Sequence, residues 1–284
     1  MMAALSSCTS QRHPALRVLE FFRPIDIDVY FVEPYAINLF SIYALRHDLD
    51  YSGVESYIDW YFNNLNYPDK NGLTGSIYDY TIYRNGHQVA NNTYDSVDAY
   101  AGTFLILLWE YYQRTGKREL LDANHFKILD IAYLILHLQE SDGLARAIPE
   151  QSQKYLMDNC ENYGGLGAFI KLCEALGWPD TDYYEQARLA LKHGIETKLD
   201  VQQDQLYLWA VDDGAIHRSS WGTFYPDAFA QIFVILYGLI EPDSERARYI
   251  WNEFISRYDP EQGYQMDILQ QVVVNMTREK MVGL

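Results

Sequence analysis

The chain is poor in basic residues, in cysteine and in long apolar runs, and each shortage excludes something. Lysine and arginine number 22 against 39 aspartates and glutamates, a formal charge of −17. Nucleic acid and anionic membranes are held by clusters of Lys and Arg. No such cluster is present, so neither is an expected partner. The cysteines, Cys8, Cys160 and Cys173, offer neither a disulfide framework nor zinc spacing. No apolar run reaches the ~18 residues that span a bilayer. The longest, Ala228 to Ile240, is broken by Gln231 and Gly238 and suits a core helix. No histidine falls in a metal-binding spacing. A Gly-x-Ser-x-Gly elbow is missing, which removes support for an esterase. Gly164-Gly-Leu-Gly167 lacks the Lys-Ser/Thr of a phosphate loop. No metal and no other cofactor is expected.

At the N-terminus, Leu5-Ser-Ser-Cys8 matches the end of a bacterial lipoprotein signal, but the run before it is short and has no basic start. Either the true start lies upstream and the protein is secreted or lipid-anchored, or the match is accidental and the protein is cytoplasmic. Residues 1–24 read as a tail with a helical piece around Leu16 to Phe22. Residues 25–284 read as one domain of repeats.

What is present in quantity is apolar and aromatic. Hydrophobic residues make up 49% of the chain, enough for a substantial core, and 25 of the residues are tyrosine. Most rings are expected in that core; a ring with a hydroxyl also suits stacking on a sugar. The organising stretch runs from Thr93 to Leu105. It sets Asp95 and Asp98 at the start of a helix that becomes apolar all round, through Ala101, Phe104, Leu105 and Leu107. A helix without a polar face must be covered on every side.

The same order of acid, any residue, ring, small residue recurs in Glu33-Pro-Tyr-Ala36, Asp98-Ala-Tyr-Ala101, Glu161-Asn-Tyr-Gly164 and Asp227-Ala-Phe-Ala230. The acids are 65, 63 and 66 residues apart. A near-constant period means a repeat architecture. The unit is a buried helix, a turn, an outer amphipathic helix and a short extended connection. Inner helices are expected from about Glu33 to Arg46, Ser96 to Thr115, Asp158 to Leu176 and Pro226 to Gly238. Outer helices are expected from about Ser52 to Leu65, Glu119 to Glu140, Thr181 to Lys198 and Asp243 to Tyr258. Extended pieces fall over Leu73 to Tyr83, Leu144 to Ile148 and Asp204 to Asp213, and Ile268 to Met281 is expected to start a fifth helix. Such pairs bury a core only by stacking on their neighbours, as an open solenoid or a closed ring. In a ring the inner helices run parallel. Their N-termini then meet at one mouth and bring together Glu33, Asp95, Asp98, Asp158, Glu161 and Asp227.

The chain resembles the six-hairpin glycosidase superfamily, the (α/α) toroids of many glycoside hydrolases and some polysaccharide lyases. The likeness covers nearly all of residues 28–268. It rests on the helix-pair repeat, on the turns Asp142-Gly-Leu144 and Asn71-Gly-Leu73, and on the acids in Tyr94-Asp-Ser-Val-Asp98, Met157-Asp-Asn159 and Phe224-Tyr-Pro-Asp227. It implies an all-α fold, a toroid or partial toroid of helical hairpins with short extended loops at the mouth. About nine or ten helices are counted, where a six-pair ring needs twelve, so the ring is expected smaller, open, or short of an N-terminal pair.

The resemblance also implies cleavage of a glycosidic bond in a poly- or oligosaccharide by a carboxylate pair. One carboxyl group protonates the leaving oxygen and the other acts as nucleophile or as base for water. Asp98 suits the acid, one turn from the buried segment. Asp95, Asp158 and Asp227 are candidates for its partner. Glu33, Tyr78, Asp79, Tyr94, Glu161, Trp221 and Tyr225 are candidates to hold sugar. The plainer expectation for any one acid at a helix start is a cap. A lyase, and a sugar-binding or scaffold toroid without catalysis, stay open as alternatives.

Overall fold

The computed structural model describes residues 13–20, 22, 28–49, 51–179, 181–201 and 205–283. The lipoprotein-like Leu5-Ser-Ser-Cys8 lies outside them. The chain runs α1 (Pro14–Leu19), β1 (Val29–Val32), α2 (Pro34–Arg46), α3 (Val54–Asn63), β2 (Tyr80–Tyr83), β3 (Gln88–Ala90), α4 (Val97–Thr115), α5 (Glu119–Ala123) and α6 (His125–Leu138). It continues through β4 (Lys154–Tyr155), α7 (Leu156–Leu176), α8 (Thr181–Gly194) and four two-residue strands, β5 (Asp200–Val201), β6 (Leu206–Tyr207), β7 (Ala210–Val211) and β8 (Ile216–His217). A π turn over Phe224–Ala228 then leads into α9 (Phe229–Gln231) and α10 (Phe233–Leu236), followed by α11 (Glu245–Tyr258) and α12 (Ile268–Val282).

The fold is an α/α toroid. Among the described residues the inner helices close on themselves: α2 packs on α4, α4 on α7, α7 on α10, α10 on α12, and α12 back on α2. The ring is therefore smaller than six pairs, and it is closed. The outer layer is amphipathic, as in α3 and α11, while α4 is buried on all sides from Val97 to Leu108. Of the segment expected to be a tail, α1 is part of the packing: Ala15, Leu16, Val18 and Leu19 are buried, against α2 and α3. Among the described residues no helix is long and apolar enough to cross a membrane.

Three details differ from the pattern in the sequence. The outer helix expected from Glu119 to Glu140 breaks at Asn124, whose side chain donates to the Leu120 carbonyl at 2.9 Å. Asparagine competes for backbone groups in this way and favours caps over helix interiors. The fourth inner helix is not one rod: it divides at Ile232, which ends α9 and begins α10. Residues 29–32, not anticipated as a strand, pair with β2, which pairs with β3. The alternating burial of Val29, Tyr30, Phe31 and Val32 is that of a half-buried strand.

Two contacts position the mouth. Helices α4 and α7 meet at glycines: a Cβ on Gly165 would sit 2.5 Å from the Gly102 carbonyl oxygen and 2.6 Å from its Cα. Only a missing side chain lets the backbones approach so closely. One turn below the mouth, Asn38 of α2 donates to the Tyr100 carbonyl at 3.2 Å and to Thr103 at 3.0 Å, and accepts from the Tyr57 hydroxyl at 2.9 Å. In the core, the rings of Tyr61 and Phe104 stack at 3.6 Å, a pairing worth about 0.5–1.5 kcal/mol beyond its burial. The Asp142-Gly-Leu144 turn also has a packing reason: Gly143 holds φ +90°, and a Cβ there would lie 2.3 Å from the Ala190 carbonyl of α8.

At the start of α11, the Ser244 hydroxyl accepts the Ala247 N–H at 3.2 Å. Ser244→Ala removes that cap and is expected to cost about 1 kcal/mol. Urea unfolding should show a lower midpoint with an unchanged slope. An unchanged midpoint would mean that the last hairpin does not limit stability.

Candidate active site

The N-terminal ends of the inner helices converge on a cavity of about 270 Å³. Each inner helix contributes to its wall. Glu33 and Tyr35 come from the start of α2, and Asp95, Ser96 and Tyr100 from the start of α4. Asp158 and Glu161 come from α7, Tyr225 and Phe229 from the fourth inner segment, and Asp267 and Gln270 from α12. Helix N-termini favour negative charge, yet burial acts more strongly here on the two acids of α7.

Asp158 is 7% exposed and Glu161 1%. Burial first, and the Asp98 charge second, hold the Asp158 carboxyl well above the usual carboxylate range. Burial and then the Asp158 charge do the same to Glu161, against the opposing hydrogen bonds of Tyr35 and Tyr237. Those two hydroxyls donate to the same oxygen, Glu161 Oε1, at 2.7 and 3.2 Å. Asp95 and Glu33 are exposed at the rim. The Tyr225 ring is 58% exposed, and desolvation with the charges of Asp158, Asp95 and Glu161 pushes its hydroxyl up to about 12.

Asp98, the expected acid, does not reach the cavity. It is 0% exposed, and its oxygens are engaged one layer below. Oδ2 accepts from Asn162 Nδ2 at 2.7 Å; Oδ1 accepts the Ala99 N–H at 2.9 Å and the Ser96 hydroxyl at 3.2 Å. Burial pushes its carboxyl up to about 6 against these donors. The Ser96 hydroxyl also contacts Asp158 Oδ2. It therefore stands between the two carboxyls instead of capping α4.

The structure separates other expected site residues from the cavity as well. Asp227 accepts the Ser220 N–H at 2.9 Å, an amide of the preceding loop, so it holds that loop and does not cap a helix. Trp221 packs edge-on against Tyr249, and its carbonyl accepts the Tyr258 hydroxyl at 2.5 Å. Tyr78 and Tyr94 stack at 5.7 Å and hold the Asp69 turn: the Tyr78 hydroxyl accepts the Lys70 N–H, and the Tyr94 hydroxyl donates to Asp69. Asp79 is buried behind Tyr100, whose hydroxyl donates to it at 2.7 Å. Burial raises its carboxyl to about 6, the Tyr100 hydroxyl opposing and the Glu33 and Asp95 charges adding. What the mouth does bring together is Glu33, Asp95, Asp158, Glu161 and Tyr225.

Residues that the sequence reading missed are Tyr35, Ser96, Tyr100, Tyr237, Asp267 and Gln270. The first and third are the ring of the repeated pattern, so a signal existed. Asp267 and Gln270 form a capping box at the start of α12, a signal for a helix start. Nothing local marked Ser96 or Tyr237, which matter through contacts made across the ring.

A second cavity, about 630 Å³, opens at the other end of the ring between the C-terminal halves of the inner helices. Arg46 there is spent on Glu110, and Arg188 on Glu185. Glu161 lines the upper cavity and Tyr237 the lower, so their hydrogen bond lies between the two. Among the described residues no group of three or more His, Cys, Asp or Glu is placed to hold a metal ion.

The raised carboxyls have a consequence for stability. Asp79, Asp98, Asp158 and Glu161 hold protons more tightly when folded than when unfolded, where they titrate near about 4. Their contribution is greatest below that value and is lost as pH rises through about 6 and beyond. Exposed carboxylates paired with Lys or Arg pull the other way, but such pairs are worth under about 1 kcal/mol. The Tm is expected to fall between about pH 5 and pH 8. A Tm that rises over that range would mean that these acids are already ionised in the fold.

No protein-family profile and no curated protein sequence matches the chain. Solved structures do match in fold. A rhamnosidase from Klebsiella oxytoca with rhamnose bound matches with a TM-score of 0.60 at 17% identity over 89% of this chain. A GH78 family rhamnosidase of Bacillus sp. GL1 matches with a TM-score of 0.61 at 12% identity over 89%. A GH63 mannosylglycerate hydrolase from Thermus thermophilus in complex with glucose matches with a TM-score of 0.63 at 11% identity over 94%. The chain spans 46% and 26% of the two rhamnosidases and 87% of the hydrolase. At these identities the likeness is one of fold, the α/α toroid.

Proposed function

We propose that the mouth cavity hydrolyses a glycosidic bond in a poly- or oligosaccharide, with Asp158 as the proton donor and Asp95 as its charged partner. The observation that supports this most is the pairing of environments in one cavity. Asp158 is buried and held toward its protonated form, while Asp95 stands in water at the rim. Two acids whose surroundings differ in this way are what the reaction requires. Asp158 protonates the departing oxygen as the bond to the anomeric carbon breaks. Asp95 either attacks that carbon or takes a proton from the attacking water. Tyr225 and Phe229 offer ring faces to a sugar, and Glu33, Glu161, Asp267 and Gln270 offer polar groups to its hydroxyls. No cofactor enters the reaction. The fold shared with the rhamnosidases and the mannosylglycerate hydrolase agrees with this class of chemistry without choosing the sugar.

The test is reducing-sugar release from a panel of poly- and oligosaccharides, with binding followed in parallel by calorimetry. Release from at least one member is expected. Binding without release from any member would replace the hydrolase reading with that of a sugar-binding toroid.

A further inference from the structure

Asp98 lines no cavity, yet it is a fully buried acid linked by one hydroxyl to the acid that does. A serine hydroxyl has one proton to give and can accept in return. Here both of its contacts in question are carboxyl oxygens, on Asp98 and on Asp158. If both acids were ionised, one contact would set oxygen against oxygen with no proton between them. All three groups are satisfied only when one carboxyl carries a proton. Asn162 and the Ala99 N–H decide which one, because both donate to Asp98 and so favour its charged form. The Asp158 hydroxyl then donates to Ser96, and the Ser96 hydroxyl donates to Asp98.

We propose that Asp98 is a positioning residue that keeps the reactive proton on Asp158, acting through the Ser96 hydroxyl from one layer below the cavity. It rests on the hydrolase reading of the mouth for its role in turnover, though the protonation it describes exists without substrate. During the reaction the Asp158 proton passes to the departing oxygen and the carbon–oxygen bond breaks. Ser96 keeps its own proton and turns it from Asp98 to the new Asp158 carboxylate. When Asp158 is reprotonated from solvent, the hydroxyl turns back. Titration of the pair belongs to both acids together. The other groups facing it are Asp95, Glu161, Tyr35, Tyr155 and Tyr225 around the cavity, Cys160 on α7 and Asn162 beneath.

The experiment is an infrared pH titration of the full chain without substrate, following the C=O band of protonated carboxyl groups, with folding checked by thermal melting. In the wild type a band that Asp158→Asn removes should persist at neutral pH. Asp98→Asn takes away the neighbouring negative charge and should lower the midpoint of that band by about one pH unit or more. Ser96→Ala should lower it as well, because the one-proton state loses both of its hydrogen bonds, and Ser96→Thr should restore it. If Asp98→Asn does not fold, the two serine variants carry the test. A midpoint unmoved in a folded Ser96→Ala, or a neutral-pH spectrum that Asp158→Asn leaves intact, overturns the proposal. Where sugar is released, the alkaline limb of kcat/KM should shift acid-ward in step with the band, with KM unchanged. Shifts in the band with no release from any sugar would sink the hydrolase reading and leave the shared proton standing. Release with an unmoved band would do the reverse.

Discussion

Asp158→Asn is expected to reduce sugar release by about 10²–10⁴-fold, the usual contribution of a general acid. The amide has the shape of the carboxyl and can still bond to Ser96, so the fold and sugar binding should survive. What is lost is the proton at the cavity wall. The same substitution removes one of the acids whose proton uptake favours the fold at low pH, so the fall of Tm with rising pH should flatten. Asp227→Ala is the contrast: that acid accepts the Ser220 N–H outside the cavity, so its loss should act on stability and leave turnover in place. Steady-state kinetics on any sugar that is cleaved decides the matter. A fully active Asp158→Asn would remove Asp158 from the chemistry and direct attention to Glu161.

Gly165→Val should unfold the chain at markedly lower urea, with a loss of about 3 kcal/mol or more. The added Cβ would lie 2.5 Å from a carbonyl oxygen and 2.6 Å from a Cα of α4. Both are backbone atoms, so no side-chain rotation relieves the contact and the two helices must separate. Separation also pulls Asp158 away from Ser96, so activity should fall even where the protein stays folded. Gly167→Ala is the control on the same helix. Its Cβ would meet only the Arg188 side chain, Cδ at an ordinary 3.5 Å and Nη1 at 3.8 Å. Alanine is the better helix former by about 0.8–1.0 kcal/mol, so that variant should be at least as stable as the wild type. If Gly165→Val melts with the wild type, the glycine contact does not hold the ring together.

The toroid was legible because burial leaves a mark in sequence. A helix such as α4, apolar on every face, has to be inside, and outer helices such as α11 show one wet face. The acids at the starts of those helices were legible for the same reason, and Asp95, Asp158 and Glu161 do meet at the mouth. Depth was not legible. The pattern of acid, ring and small residue marks inner helices without marking how far down each residue lies. Helix α2 begins directly after Glu33, whereas α7 begins at Leu156, more than a turn ahead of Glu161. Tyr35 therefore faces the mouth cavity, and Tyr163, its counterpart in the pattern, faces the basal one. Asp98 misled for the same reason. Its place at the helix start was right, but the close approach of α4 to α7 seals it beneath Ser96. Such an approach depends on Gly102 and Gly165 meeting across the ring, which no local spacing announces.

The hydrogen bonds from Tyr35 and Tyr237 to Glu161 lie on the way from the upper cavity to the lower, within a buried floor. Among the described residues that floor parts the mouth cavity from the basal one. A chain bound at the mouth would meet this floor instead of running on through the ring into the basal cavity.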